Sequence, residues 1–194
     1  EKFGVDNTDE FERVFRIIIK AKTGNEDLTF KELYDLKNKK LVIYSTNLNK
    51  MESEYFDYEK TPDYKIIDAL ISSISIPILF CPKKMNDTFY IDGALTNHYP
   101  IEYFDDEIEN TIGFVNINNS LNDFNIQTIE DYFLAVSLCS MNKLLRNTLD
   151  KYKENSVLID SEQNIVEFNL SFEKKDNMIN YGYELTKNYF EKKE

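Results

Sequence analysis

Apolar positions Phe11, Val14, Phe15, Ile18 and Ile19 recur every three or four residues between Thr8 and Lys22. That is the spacing of one helical face, and Gly24 supplies a stop. Thr29 followed by Glu32 forms a capping box, in which each side chain satisfies an orphan backbone N–H, so a second helix is expected from Phe30 to about Leu36. The continuous run Leu41-Val42-Ile43-Tyr44 predicts a central strand buried on both faces in a parallel or mixed sheet. Ser53 to Tyr58 alternates more loosely between charges and predicts a neighbouring edge strand. Ile66, Ile67, Leu70, Ile71 and Ile74 make a helical stripe that Pro77 forces to end near Ser75.

Thr88 to Ile91 reads as a strand cut off by Asp92-Gly93, and Thr111 to Ile117 as another. Thr128 and Asp131 frame a long helix to about Leu149, with Ile129, Phe133, Val136, Leu144 and Leu145 expected toward a core. Val157-Leu158-Ile159 predicts a strand. A terminal helix places Met178, Leu185 and Tyr189 on one face through about Glu191, with Gly182 marking a close approach of another element. Helices alternating with apolar strands predict an α/β layered fold, and with no repeat, linker or break in composition, residues 1–194 read as part of one domain.

Charge narrows the functions that such a fold can serve. A formal net charge of −12 without a basic stripe repels phosphodiester backbones, so no nucleic-acid partner is expected. The longest apolar run, Ile74 to Cys81, contains Pro77 and is too short to cross a hydrocarbon core, which needs about twenty residues. Cys81 and Cys139 show no CxxC or Cys/His clustering, which argues against a zinc site or a disulfide framework and for reduced cysteines in the cytoplasm. The chain opens on Glu1 without a basic-then-apolar leader, so no signal peptide is expected and an upstream segment is expected to be missing.

The sharpest chemical feature is Tyr90-Ile91-Asp92-Gly93-Ala94, followed by Asn97 to Pro100, a strand that delivers an aspartate to its end and turns on a glycine. Strand ends are where α/β folds place chemistry. An Asp-Gly pair alone is also an ordinary turn with a solvated carboxylate. Its neighbours change the reading: Thr46-Asn47-Leu48 closes the buried strand, Ser73 to Pro77 forms a small-residue helix exit, and Thr29-Phe30-Lys31-Glu32-Leu33 lies upstream.

In this order the chain resembles the C-terminal half of the patatin-like phospholipases, closely over about Phe3 to Tyr103 and by pattern beyond. The resemblance implies a three-layer α/β/α fold with a mainly parallel or mixed sheet, truncated at its N-terminus. It implies lipid acyl ester hydrolysis by a Ser–Asp dyad in which Asp92 is the general base and Gly93 permits the turn that aims it. No cofactor is implied, the substrate is a lipid, and membrane contact is peripheral. The family's nucleophile sits on a G-x-S-x-G elbow beside a glycine-rich oxyanion loop; none of Gly4, Gly24, Gly93, Gly113 or Gly182 lies in such a motif. A truncated chain accounts for that, and the piece alone is expected to be inactive.

Competing sites are weaker. His98, the single histidine, lies six residues after Asp92 on an expected loop and reads as a packing or surface residue. Ser72, Ser73 and Ser75 lack the glycines of a nucleophile elbow and read as helix-exit residues. Asp105-Asp106-Glu107 with Glu109 lacks calcium-loop spacing and is assigned no metal. The alternative function is a non-catalytic lipid-binding or scaffold protein that kept the patatin core without its serine. The oligomeric state is not written in the pattern.

Overall fold

The computed structural model describes residues 3–117, 125–160 and 169–193. By internal packing the chain divides into two compact units, one of residues 1–98 with 127–144 and the other of residues 99–126 with 145–194.

The first unit opens with β1 (Gly4–Asp6), α1 (Asp9–Thr23) and α2 (Phe30–Lys37). Helix α1 ends as its sequence dictates, with Gly24 in the left-handed region at φ 83° and its N–H bonded to the Lys20 carbonyl. The capping box of α2 is present: Thr29 Oγ1 accepts from Glu32 N at 3.2 Å and Glu32 Oε2 accepts from Thr29 N at 2.8 Å. Strands β2 (Ile43–Asn47) and β3 (Glu52–Phe56) precede α3 (Ile66–Ser73). After α3 come three further strands, β4 (Ile78–Phe80), β5 (Lys83–Met85) and β6 (Thr88–Asp92).

Pairing is mixed. β1 and β4 form a parallel pair, whereas β3-β2-β6-β5 form a four-stranded antiparallel sheet. β2 is central and β3 is an edge, as their contrasting patterns predict. The central strand begins two residues later than its apolar run, and its buried end is polar: Ser45, Thr46 and Asn47 are all buried. Each has its hydrogen-bonding capacity met by protein, which is what makes burial of a hydroxyl or amide tolerable. β1, β4 and β5 span three residues each, too short for alternation to announce them. Leu28, Phe30, Ile43, Phe56, Ile66, Ala69, Met85 and Tyr90 form the core over which α3 packs.

The second unit contains a run of 3₁₀ turns (Ile101–Asn110), β7 (Gly113–Ile117), β8 (Ser156–Asp160) and α5 (Phe172–Glu191). β7 and β8 pair in parallel, and Tyr99, Ile101, Val115, Leu145 and Tyr152 make its core. Helix α4 (Ile129–Tyr152) contributes to both units, and its Thr128/Asp131 box forms as expected. Two expectations fail here. Ile129, Phe133, Val136 and Leu144 of α4 are exposed and only Leu145 of the expected set is buried, because periodicity identifies an apolar face without identifying what covers it. Nor, among the described residues, does another element approach Gly182, where an added Cβ would meet nothing within 4 Å. Among the described residues no helix is long and apolar enough to cross a membrane.

Candidate active site

Asp92 ends β6, directly opposite Ser45 of β2, and the chain turns away at once through the 3₁₀ segment Gly93–Leu95. Three hydrogen bonds fix the aspartate. Its N–H donates to the Ser75 carbonyl at 2.9 Å, its carbonyl accepts from Thr46 Oγ1 at 2.9 Å, and its carboxylate Oδ1 accepts from Ala94 N at 2.8 Å. Among the described residues Oδ2 has no hydrogen-bond donor, so one oxygen is anchored and the other is open to receive a proton.

Burial raises the Asp92 carboxyl above its ordinary range, since a low-dielectric surrounding disfavours the charged form. The Ala94 N–H pulls the other way, and desolvation is the larger influence. A carboxylate with raised proton affinity at a strand end is a better general base than one in water.

Gly93 is required for space. An added Cβ would lie 2.5 and 2.6 Å from the Tyr44 ring and 2.9 Å from the Tyr44 carbonyl oxygen. Glycine therefore lets the turn pass directly over β2, while its φ lies outside the left-handed region. The Thr46-Asn47-Leu48 segment is its counterpart on β2. Thr46 holds the Asp92 carbonyl, Asn47 Oδ1 accepts from Asn49 N and Lys50 N at 3.1 and 3.0 Å, and Leu48 N donates to the Phe89 carbonyl at 2.9 Å.

The serines beside the site are structural. Ser72 Oγ donates to the Ala69 carbonyl at 2.9 Å and lies 2.7 Å from Ser45 Oγ, and Ser75 Oγ donates to the Ile71 carbonyl at 2.7 Å. All three are fully buried, so none is available to a substrate. His98 forms no hydrogen bond to Asp92, and its buried Nδ1 has no partner among the described residues. Burial lowers its basicity, so it is neutral at neutral pH. In the other unit, Asp105 accepts from Tyr152 Oη at 2.5 Å and pairs with Lys151 at 3.1 Å, an ion-pair role.

Two features went unread in the sequence: Ser53 and Thr96, whose hydroxyls lie 2.8 Å apart and continue to Thr46 at 2.9 Å. No local signal marks them, since Ser53 comes into register with Thr46 only when β3 pairs with β2. A groove of about 470 Å³ against α1, lined by Arg13, Arg16, Ile17, Lys20, Ala21 and Glu26, holds neither Asp92 nor its partners. Its charges are spent on ion pairs, Arg13 with Glu10, Arg16 with Glu12 and Asp27, and Lys20 with Glu26.

Known proteins are similar to this chain. The family model for patatin-like phospholipases matches residues 1–105, which contain α1 to β6 and the whole Asp92 turn. The chain is 32% identical to Uncharacterized protein R571 of Acanthamoeba polyphaga mimivirus, over 96% of its own length and 65% of that protein's. It is 39% identical to Probable lipid hydrolase 463L of Invertebrate iridescent virus 6, over 43% of its length and 29% of that protein's. It thus spans less than two thirds of either viral relative. VipD from Legionella pneumophila superimposes on 87% of the chain with a TM-score of 0.57 at 18% identity, a likeness of fold that takes in 36% of the VipD chain. With the family match covering more than half of its residues and ending just beyond the aspartate turn, this chain belongs to the patatin-like phospholipase family.

Proposed function

We propose that this chain is the C-terminal portion of a single patatin-like domain and supplies the general base, Asp92, of a serine-dependent lipid acyl hydrolase. The observation that carries this reading is the geometry of Asp92: a desolvated carboxylate at a strand end, with Oδ1 tied to Ala94 N–H and Oδ2 open. In acylation Oδ2 takes the proton of a serine hydroxyl as that oxygen bonds to the ester carbonyl carbon. The carbonyl π pair moves to oxygen, and collapse of the tetrahedral species expels the lipid alcohol, which leaves with the proton that Asp92 held. In deacylation Asp92 takes a proton from water as the water oxygen bonds to the acyl carbon, and collapse breaks the acyl–serine bond, the serine oxygen taking that proton back from Asp92 as the fatty acid leaves.

The serine comes from outside these 194 residues. No G-x-S-x-G occurs in the sequence, and the serines nearest Asp92 are buried and bonded to backbone carbonyls. Exposed apolar faces support an absent cover: Val5 of β1 and Val14, Ile17 and Ile18 of α1 all face solvent. Without the nucleophile and its oxyanion donors the larger contributions to acyl transfer are missing, so the 194-residue chain alone is inactive. The substrate class is a lipid carboxylic ester, a reading supported by the likeness to a probable lipid hydrolase of an iridescent virus. The reaction requires no cofactor, its contact with a bilayer is peripheral, and its place is the cytoplasm.

Release of fatty acid from phosphatidylcholine vesicles tests this reading in three samples: the protein from its native source, the same protein carrying Asp92→Asn, and the 194-residue chain. Turnover in the first alone supports it. Turnover that survives Asp92→Asn, or that the short chain achieves unaided, overturns it.

A further inference from the structure

We propose that a one-way chain of three hydroxyls, Ser53 to Thr96 to Thr46, is the device that positions Asp92, with Thr46 as its indispensable member. The role assigned rests on the reading of Asp92 as the base. The direction of the chain follows from counting protons. Thr46 Oγ1 lies 2.9 Å from the Asp92 carbonyl oxygen, which can only accept, so the single Thr46 proton is committed there. Thr96 Oγ1, 2.9 Å from Thr46 Oγ1, must then be the donor to Thr46. That commits the Thr96 proton in turn, so its 3.4 Å approach to the Gly93 carbonyl is secondary. Ser53 Oγ, 2.8 Å from Thr96 Oγ1, must therefore donate to Thr96.

The topology gives this chain a purpose. Ser53 and Thr46 sit opposite each other on β3 and β2, a rigid antiparallel pair, while Thr96 stands at the far end of the turn that Asp92 begins. One oxygen, Thr46 Oγ1, thus touches both ends of the segment from Asp92 to Thr96. Midway along that segment is the Ala94 N–H that anchors Oδ1. A turn pinned at both ends holds that N–H on the carboxylate and keeps Oδ2 facing one way. Thr46 itself is buried, so its hydroxyl is not shared with solvent.

Thr46→Val keeps the shape and removes the proton, and Thr46→Ser keeps the proton with one methyl fewer. Amide hydrogen exchange of the whole chain, read by NMR, reports the first effect. Ala94 N–H should exchange about tenfold faster in Thr46→Val, a loss typical of one well-made hydrogen bond. Exchange at Ile67 in α3 should stay unchanged, and Thr46→Ser should restore Ala94. In the native hydrolase Thr46→Val should lower kcat at unchanged KM and move the acidic limb of the kcat profile to higher pH, because the carboxylate loses a hydrogen bond that favoured its charged form.

Ala94 exchange within twofold of wild type, acceleration shared equally with Ile67, or an unmoved acidic limb overturns the proposal. The underlying reading fails differently, through turnover that survives Asp92→Asn whatever Ala94 does.

Discussion

Replacing Gly93 with alanine tests whether this glycine is there for space. The added methyl would sit 2.5 and 2.6 Å from two atoms of the Tyr44 ring and 2.9 Å from the Tyr44 carbonyl oxygen. All three lie well inside the van der Waals contact of about 3.5–4 Å that carbon atoms prefer. Displacing the ring disturbs its stack on Tyr55, 5.7 Å away between centroids. The carbonyl belongs to the central strand, whose neighbours pair on both sides. Overpacking against such surroundings costs about 1–3 kcal/mol, and the backbone clash places Gly93→Ala toward the upper end. For a chain of this length that lowers Tm by roughly 2–4 °C per kcal/mol.

Urea unfolding of wild type, Gly93→Ala, Tyr44→Ala and the double variant separates the two contributions. The double variant should regain the part due to the ring and retain the part due to the carbonyl, a non-additivity of about 1 kcal/mol. A Gly93→Ala loss below about 0.5 kcal/mol would refute the steric account and leave the glycine without a structural reason.

Asp92→Asn should reduce hydrolysis by the native enzyme at least a hundredfold, within the range of about 10²–10⁴ for a general base, while raising stability at neutral pH. The sign follows from burial: the folded-state carboxyl titrates above its ordinary 3.8, so the folded state binds more protons in that interval and stability falls as pH rises through it. Asparagine removes that dependence, which denaturant midpoints at pH 4 and pH 7.5 will detect. His98 has the opposite linkage. Burial holds its folded-state value below 6.5, the unfolded chain takes up a proton first as pH falls, and stability drops below about pH 6.5. His98→Leu should lose less stability than wild type between pH 7.5 and 5.5 in the same titration. Ile67→Ala, at a residue with no exposed surface, should cost about 2–5 kcal/mol with an unchanged urea slope.

The elements legible in the sequence were those whose signal is local. The Thr29/Glu32 and Thr128/Asp131 boxes, the Gly24 stop and the Pro77 exit are each set by a few neighbouring residues, and each appears where its chemistry places it. The place of Asp92 at the end of β6 was legible because an Asp-Gly closed a strand pattern in order after Thr46-Asn47-Leu48 and the Ser73 to Pro77 exit. Its surroundings were not, since Ser75, Thr46, Thr96 and Ser53 come from two strands, the turn after β6 and a helix exit that only the fold brings together. The polar end of β2 was unreadable from hydropathy for the same reason: Ser45, Thr46 and Asn47 are buried because distant partners satisfy them. The exposed stripe of α4 shows the converse limit, a pattern that names an apolar face without naming its cover.

The most direct test of the central claim is fluorophosphonate labelling of the protein from its native source, followed by peptide mapping, with Asp92→Asn alongside. A labelled serine is expected on a peptide outside these 194 residues, with labelling lost in Asp92→Asn although the variant remains folded. A label on a serine within the chain, labelling indifferent to Asp92, or no label on folded native protein would contradict it.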